Sequence, residues 1–161
     1  MLLESRELHG RSGHQVGRAL LAEMFRQYTG KEMPPIHVTD RGKPYFAGNP
    51  LHFSITHTSA HVFCALSEVP IGIDAEELDR KIHPGLADKI LSPSEKSQYL
   101  AAEDQRLALL TFWVLKEAQA KMTGEGLKIY PTHTEFTLSD PRVRQLNGCL
   151  VAVIEEEDHV I

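Results

Sequence analysis

The sequence predicts an α+β fold. Strand-forming runs come as neighbouring pairs joined by short turns, helical stretches follow one another without a strand between them, and the order is helix, strands, helices, strands. That segregation argues against alternating strand–helix units and a parallel sheet.

Taken in order, the first strong pattern is helical. Ser12 can cap it, Val16, Leu20, Met24 and Tyr28 recur every four residues, and Gly30 can end it. Pro34-Pro35 breaks the chain, Ile36 to Thr39 suits a short strand, and Asp40-Arg41-Gly42-Lys43-Pro44 reads as a turn or loop. Leu51 to Thr56 and Val62 to Ser67 are two strands joined by His57-Thr58-Ser59-Ala60-His61 as a hairpin loop. Ile71 to Glu76 is a third strand, with Ile71, Ile73 and Ala75 on one face and Asp74 and Glu76 on the other. Pro84 to Leu91 suits a short helix. Ser92-Pro93-Ser94-Glu95 has the form of a capping box with proline at the first helical position, opening a weakly patterned helix that ends near Ala102. A stronger helix runs from about Gln105 to Met122, stopped by Gly124 and Gly126. Thr134 to Leu138 and Cys149 to Ile154 read as two antiparallel strands, with Asn147-Gly148 as turn residues before the second.

The 161 residues suffice for one compact unit or two small halves sharing a core. There are 22 acids against 17 lysines and arginines, a formal charge of −5, which disfavours a nucleic-acid partner. Nothing resembles a signal peptide at the start, and no stretch approaches the roughly 20 apolar residues of a membrane span. The expected location is the cytoplasm. Cys64 and Cys149 each sit in an apolar stretch and read as buried thiols in a reducing compartment, rather than a disulfide or a ligand pair.

Two constellations can carry chemistry. Asp74 and Glu76, two apart on a strand, point the same way and repel each other unless a cation or proton lies between them. Mg²⁺ would suit such oxygen donors. From spacing alone an ordinary solvated acidic strand is the simpler reading, and the run continuing with Glu77 and Asp79 supports it. Trp113, Glu117 and Lys121 follow at i, i+4 and i+8 along one helix face, where Glu117 and Lys121 can also be a plain surface pair. Glu95 has a capping role whether or not it has another. Arg41 and Lys43 on a stiffened loop, with Thr56, His57, Thr58 and Ser59 at the hairpin, suit phosphate oxygens, yet such a turn needs no ligand to exist.

In their order along the chain these pieces resemble one family. Arg41-Gly42-Lys43-Pro44, then Phe53-Ser54-Ile55-Thr56-His57-Thr58, then Ile71-Gly72-Ile73-Asp74-Ala75-Glu76, then Trp113-Val114-Leu115-Lys116-Glu117-Ala118-Gln119-Ala120-Lys121 are similar to the ordered motifs of the 4'-phosphopantetheinyl transferases. The resemblance covers about residues 14 to 130 and is to the surfactin-type branch, as a short member. It implies a monomer of two related α+β halves packed as a pseudo-dimer, here residues 1–69 and 70–161, the second carrying the metal motifs. It implies transfer of phosphopantetheine from coenzyme A to a serine of an apo acyl or peptidyl carrier protein, dependent on Mg²⁺. By position, Asp74, Glu76 and Glu117 resemble the metal ligands, with Glu117 also the candidate base for the serine. Lys121 resembles the lysine at the pyrophosphate, with Lys116 beside it in the motif. Lys43, Arg41 and His57 correspond to groups at the nucleotide end, Thr56 to a hydroxyl at the pyrophosphate, and Glu95 to the acid of a Ser-x-x-Glu segment. Thr123-Gly124-Glu125-Gly126-Leu127 resembles the glycine turn beside the pantetheine arm.

Two departures follow. Family members carry a strand and a basic segment before the first helix, and neither is evident here; Arg6 or Arg11 is the nearest cation for a 3'-phosphate. A carrier protein is acidic, as this chain is, so docking needs a local basic or apolar patch. A coenzyme A pyrophosphate hydrolase and a non-catalytic coenzyme A or carrier-protein binding module are the alternatives.

Overall fold

A computed structural model describes residues 1–125 and 134–157 of the chain. The mixture of helices and antiparallel sheets is the α+β class that the sequence predicts.

The chain opens with a strand, β1 (Leu2–Glu7), which the sequence reading did not assign. Its residues alternate poorly because it is an edge strand, held by pairing with β5 from Leu2↔Leu66 to Glu7↔His61. Helix α1 (Gly13–Thr29) follows, and Ser12 caps it by accepting from the Gln15 N–H at 3.2 Å. Gly30 closes it in the left-handed region at φ 71°, where a side chain would be strained. The four-residue stripe drifts by about 40° per step at 3.6 residues per turn. Tyr28 therefore ends 48% exposed, and Leu21 and Phe25 take the buried positions beside Leu20 and Met24.

Strands β2 (Ile36–Val38) and β3 (Pro44–Phe46) form a small ribbon around the Thr39–Lys43 turn. The predicted loop thus ends in a strand, with Pro44 at its first position, where a missing N–H costs least. Strands β4 (His52–His57) and β5 (His61–Ser67) make the expected hairpin, and β6 (Ile71–Glu77) the expected acidic strand. Then come α2 (Leu86–Ile90), α3 (Pro93–Ala101) and α4 (Gln105–Thr123). The capping box opening α3 is complete: Ser92 Oγ accepts from the Glu95 N–H, and Glu95 Oε1 accepts from the Ser92 N–H.

The last pair of strands is β7 (Val143–Leu146) and β8 (Cys149–Glu155). Asn147 and Gly148, both at positive φ, make the tight turn between them. The expectation of a strand over Thr134 to Leu138 is corrected. Side chains take that segment's donors in place of a ladder: Phe136 N–H goes to Glu95 Oε2 at 3.0 Å and Leu138 N–H to Gln98 Oε1 at 3.1 Å. Gly126 and Leu127 lie outside the described residues.

Two three-stranded antiparallel sheets, β1-β5-β4 and β6-β8-β7, pack face to face between α1 and α4. Strand alternation sorts the side chains. Along β5, Val62, Cys64 and Leu66 meet α1, and Phe63 and Ala65 meet the second sheet. Along β8, Leu150, Ala152 and Ile154 meet α4, and Val151 and Val153 face the first sheet. Both strands are buried on both faces, hence their nearly continuous apolar runs. The two sheets repeat one topology: strand, helix, strand, strand, with the last strand in the middle. The Ile73 N–H donates to Ser54 Oγ at 3.1 Å and ties β6 to β4.

Candidate functional site

The site begins at a glycine. Gly72 lies where β6 crosses α4, and a Cβ there would stand 1.8 Å from the Ala118 carbonyl oxygen. Only a residue without a side chain lets strand and helix backbones approach this closely. Two and four residues on, Asp74 and Glu76 share the Gly72 face and so point at α4. Helix α4 answers with Trp113, Glu117 and Lys121, one turn apart on its facing side. Lys121 Nζ donates to the Ile73 carbonyl and to Asp74 Oδ1, each at 3.1 Å.

Two carboxylates are buried here beyond what their partners satisfy. Asp74 and Glu117 are each 6% exposed, and Asp74 Oδ2 and Glu117 Oε1 have no hydrogen-bond partner and no access to solvent. Burial pushes Asp74 up to about 6, with Lys121 pulling the other way. Burial and the neighbouring Asp74 charge push Glu117 up to about 7. Orphaned hard oxygen donors that repel one another are what a divalent cation relieves, so the donor set fits Mg²⁺. Glu76 is turned aside: its Oε1 accepts from Arg80 and, at 3.3 Å, from Trp113 Nε1. Among the described residues the oxygens of Asp74, Glu76 and Glu117 do not gather within 4.8 Å of one another.

Lys121 also lines a cleft of about 310 Å³ between α1, β4, the β2–β3 turn and the end of α4. His14, Arg18, Arg41, Lys43 and His57 line it as well. Gly42, at φ 89°, shapes the turn, and Lys43 reaches across so that its Nζ donates to the Met122 carbonyl at 2.5 Å. Burial lowers the Lys43 pKa, with Glu156 opposing. The His57 ring lies over Gly13, where a Cβ would stand 2.5 Å from it. The cleft is thus cationic at one end and joined to the buried acids through Lys121.

A family model for the 4'-phosphopantetheinyl transferase superfamily matches residues 70–156, more than half of the chain. This chain belongs to that superfamily. Among similar proteins, a 4'-phosphopantetheinyl transferase of Bacillus subtilis is 36% identical over 98 residues, 57% of this chain and 42% of its own length. The 4'-phosphopantetheinyl transferase psf-1 of Bacillus pumilus is 31% identical over 68% of this chain and 51% of its own length. The 4'-phosphopantetheinyl transferase HetI of Nostoc sp. is 29% identical over 78% and 57%. The chain spans about half the length of the curated relatives it matches.

For this member of the superfamily, the structure brings some sequence-predicted residues together and sets others apart. Asp74, Glu117 and Lys121 converge, and Lys43, Arg41 and His57 share the cleft. Thr56 is buried on the alternate face of β4 and does not line it. Glu95 and Lys116 stand apart. They are 0% and 4% exposed and paired at 2.8 Å in the core of the second sheet and its helices. As placed, neither reaches the cleft. Arg6 pairs with Glu23, and Arg11 donates to the Leu8 and Glu7 carbonyls, so neither enters it. The cleft residues sequence reasoning missed are His14 and Arg18, whose i, i+4 spacing just after the Ser12 cap was the available sign. The family's strand before α1, which is not evident in the sequence, is present as β1, and that departure is corrected. No helix among the described residues is long and apolar enough to cross a membrane.

Proposed function

We propose that this chain transfers the 4'-phosphopantetheine group of coenzyme A to a serine of an apo acyl or peptidyl carrier protein, with Mg²⁺ as cofactor. One observation carries the reading: Asp74 Oδ2 and Glu117 Oε1 are buried without partners beside Lys121, which lines a cation-rich cleft. The first feature suits a divalent ion and the second a pyrophosphate.

Asp74, Glu117 and, once it releases Arg80, Glu76 would hold Mg²⁺, which neutralises pyrophosphate charge when bound. Phosphoryl transfer asks the protein mainly for positioning and charge neutralisation. Arg18, Arg41, Lys43 and His57 hold the phosphates of the nucleotide end. Lys121 offsets charge on the leaving side. The serine oxygen attacks the β-phosphorus, its proton passes to Glu117, and the bond to the departing 3',5'-ADP breaks. The repeated sheet topology supports the pseudo-dimer reading, with its halves meeting near residue 70. Free, buried Cys64 and Cys149 are compatible with a cytoplasmic location, and a monomer is the state this arrangement needs.

The test is the intact mass of an apo carrier protein after incubation with this chain, coenzyme A and Mg²⁺. A gain of one phosphopantetheine is expected, and Asp74→Ala and Glu117→Ala should each abolish it while remaining folded. Release of 3',5'-ADP without a mass gain would point to a hydrolase. No change across several carriers would leave a binding module.

A further inference from the structure

The pleat of β6 sends Glu77 to the opposite face from Asp74 and Glu76, into the space between the two sheets. Its register partner on β8 is Cys149, so the two side chains stand side by side. His61, at the start of β5, faces the same space from the other sheet, on the side of Phe63 and Ala65. One nitrogen, one sulfur and one oxygen, from three strands and both sheets, lie within 4.8 Å of one another. They are the only such group of three among the described residues.

We propose that His61, Glu77 and Cys149 form a second metal site, for a thiophilic divalent ion of the Zn²⁺ class, separate from the carboxylate site on the other face of β6. Four features support it. Tetrahedral Zn²⁺ bonds place neighbouring ligand atoms roughly 3.3–3.6 Å apart, and Cys149 Sγ already stands 3.7 Å from Glu77 Oε2. Ser59 Oγ donates to the other oxygen of Glu77 at 3.4 Å, fixing how that carboxylate is turned. His61 Nδ1 is shielded from solvent and has no hydrogen-bond partner, an unmet polar atom of the kind a ligand satisfies. The donor set itself selects the ion: thiolate and imidazole favour Zn²⁺ over Mg²⁺, so the two sites of this chain would sort two metals by softness. Three protein ligands leave a fourth position for water. Because the ligands come from both sheets, an ion here would staple the end of the sheet–sheet interface.

The site is read with Co²⁺ added to the whole chain in excess Mg²⁺, which occupies hard carboxylates but does not bind thiolate. One equivalent of Co²⁺ should give a thiolate-to-cobalt charge-transfer band and intense visible bands of tetrahedral cobalt, both removed by one equivalent of Zn²⁺. Cys149→Ser should abolish the charge-transfer band, whereas Cys64→Ala and Asp74→Asn should keep it. Zn²⁺ should raise the melting temperature of the unmodified chain and not of Cys149→Ser. His61→Asn and Glu77→Gln, which leave both thiols in place, should each weaken Co²⁺ binding at least about tenfold. Absence of the band, its survival in Cys149→Ser, or unchanged affinity in both His61→Asn and Glu77→Gln would overturn the proposal.

Discussion

Helix α4 carries Lys116 and Lys121 five residues apart, each beside a buried carboxylate, and the two pairs differ in how fully they are satisfied. Glu95 uses both oxygens: Oε1 accepts from the Ser92 N–H and from Lys116, and Oε2 from the Phe136 N–H. Lys116 also lies over the Phe136 ring. Asp74 uses one oxygen on Lys121 and leaves the other buried and unmet, with Glu117 equally unmet beside it. One pair closes a joint between α3, α4 and the segment around Phe136. The other leaves buried oxygens unmet beside a lysine that lines the cleft. A buried network with every member satisfied specifies structure, whereas a partly satisfied one marks a place for something else to bind.

The largest effect should come from breaking the closed pair. Glu95→Ala removes the carboxylate at 2.8 Å from the buried Lys116 and leaves the Ser92 and Phe136 N–H groups without their acceptor, and should cost about 3–5 kcal/mol of stability, read from urea unfolding. Glu95→Leu with Lys116→Met should recover the part due to the buried charge and not the part due to the Ser92 and Phe136 N–H groups, which stay without an acceptor. If transfer is reconstituted, coenzyme A affinity per folded molecule should be unchanged, and a raised KM would erase the distinction between the pairs. Next is the open pair. Glu117→Gln should lower turnover by at least about 100-fold, with stability in metal-free buffer equal to or above that of the original chain. Third, Gly72→Ala must push β6 off α4, because the new Cβ meets the Ala118 carbonyl. We expect a loss of about 1–3 kcal/mol, with weaker Mg²⁺ binding but an intact Glu95–Lys116 joint.

Local chemistry was legible where a short stretch of sequence decides it. The Ser12 and Ser92 caps, the Gly30 and Gly124 stops and the Asn147-Gly148 turn follow from residue type alone. The acids on β6 were placed by alternation, and their meeting with Glu117 and Lys121 by motif order. What sequence could not show were partners brought together by tertiary packing. Glu95 reads as a cap, and nothing nearby in the chain announces that Lys116 and Phe136 complete it. The same carboxylate takes a donor from the stretch that reads as a strand, which is why Thr134 to Leu138 is irregular. Strand β1 escaped notice because pairing with β5, and not its own pattern, makes it a strand. The Glu77–Cys149 neighbourhood is a matter of register, which no spacing in the sequence displays.

The smallest effect is the pH dependence of stability, and its sign separates the pairs. In the folded chain Asp74 is raised from 3.8 to about 6 and Glu117 from 4.5 to about 7. From roughly pH 4 to 7, then, these two groups hold more protons folded than unfolded. Their contribution to stability must fall as pH rises through that window, and the loss is complete above it. An ordinary ion-paired carboxylate such as Asp140, lowered by Arg142, gives the reverse slope at lower pH. The open pair is isolated by subtracting the urea-unfolding profile of Asp74→Asn from that of the original chain, both treated with chelator. The difference should slope downward from about pH 4 towards neutrality. Added Mg²⁺ should flatten it, since an ion bound by the folded carboxylates favours their charged form and stabilises the state that binds it. A flat difference without metal would mean that Lys121 already satisfies Asp74 as fully as Lys116 satisfies Glu95. The unmet oxygens would then no longer mark this site as the one awaiting a cation.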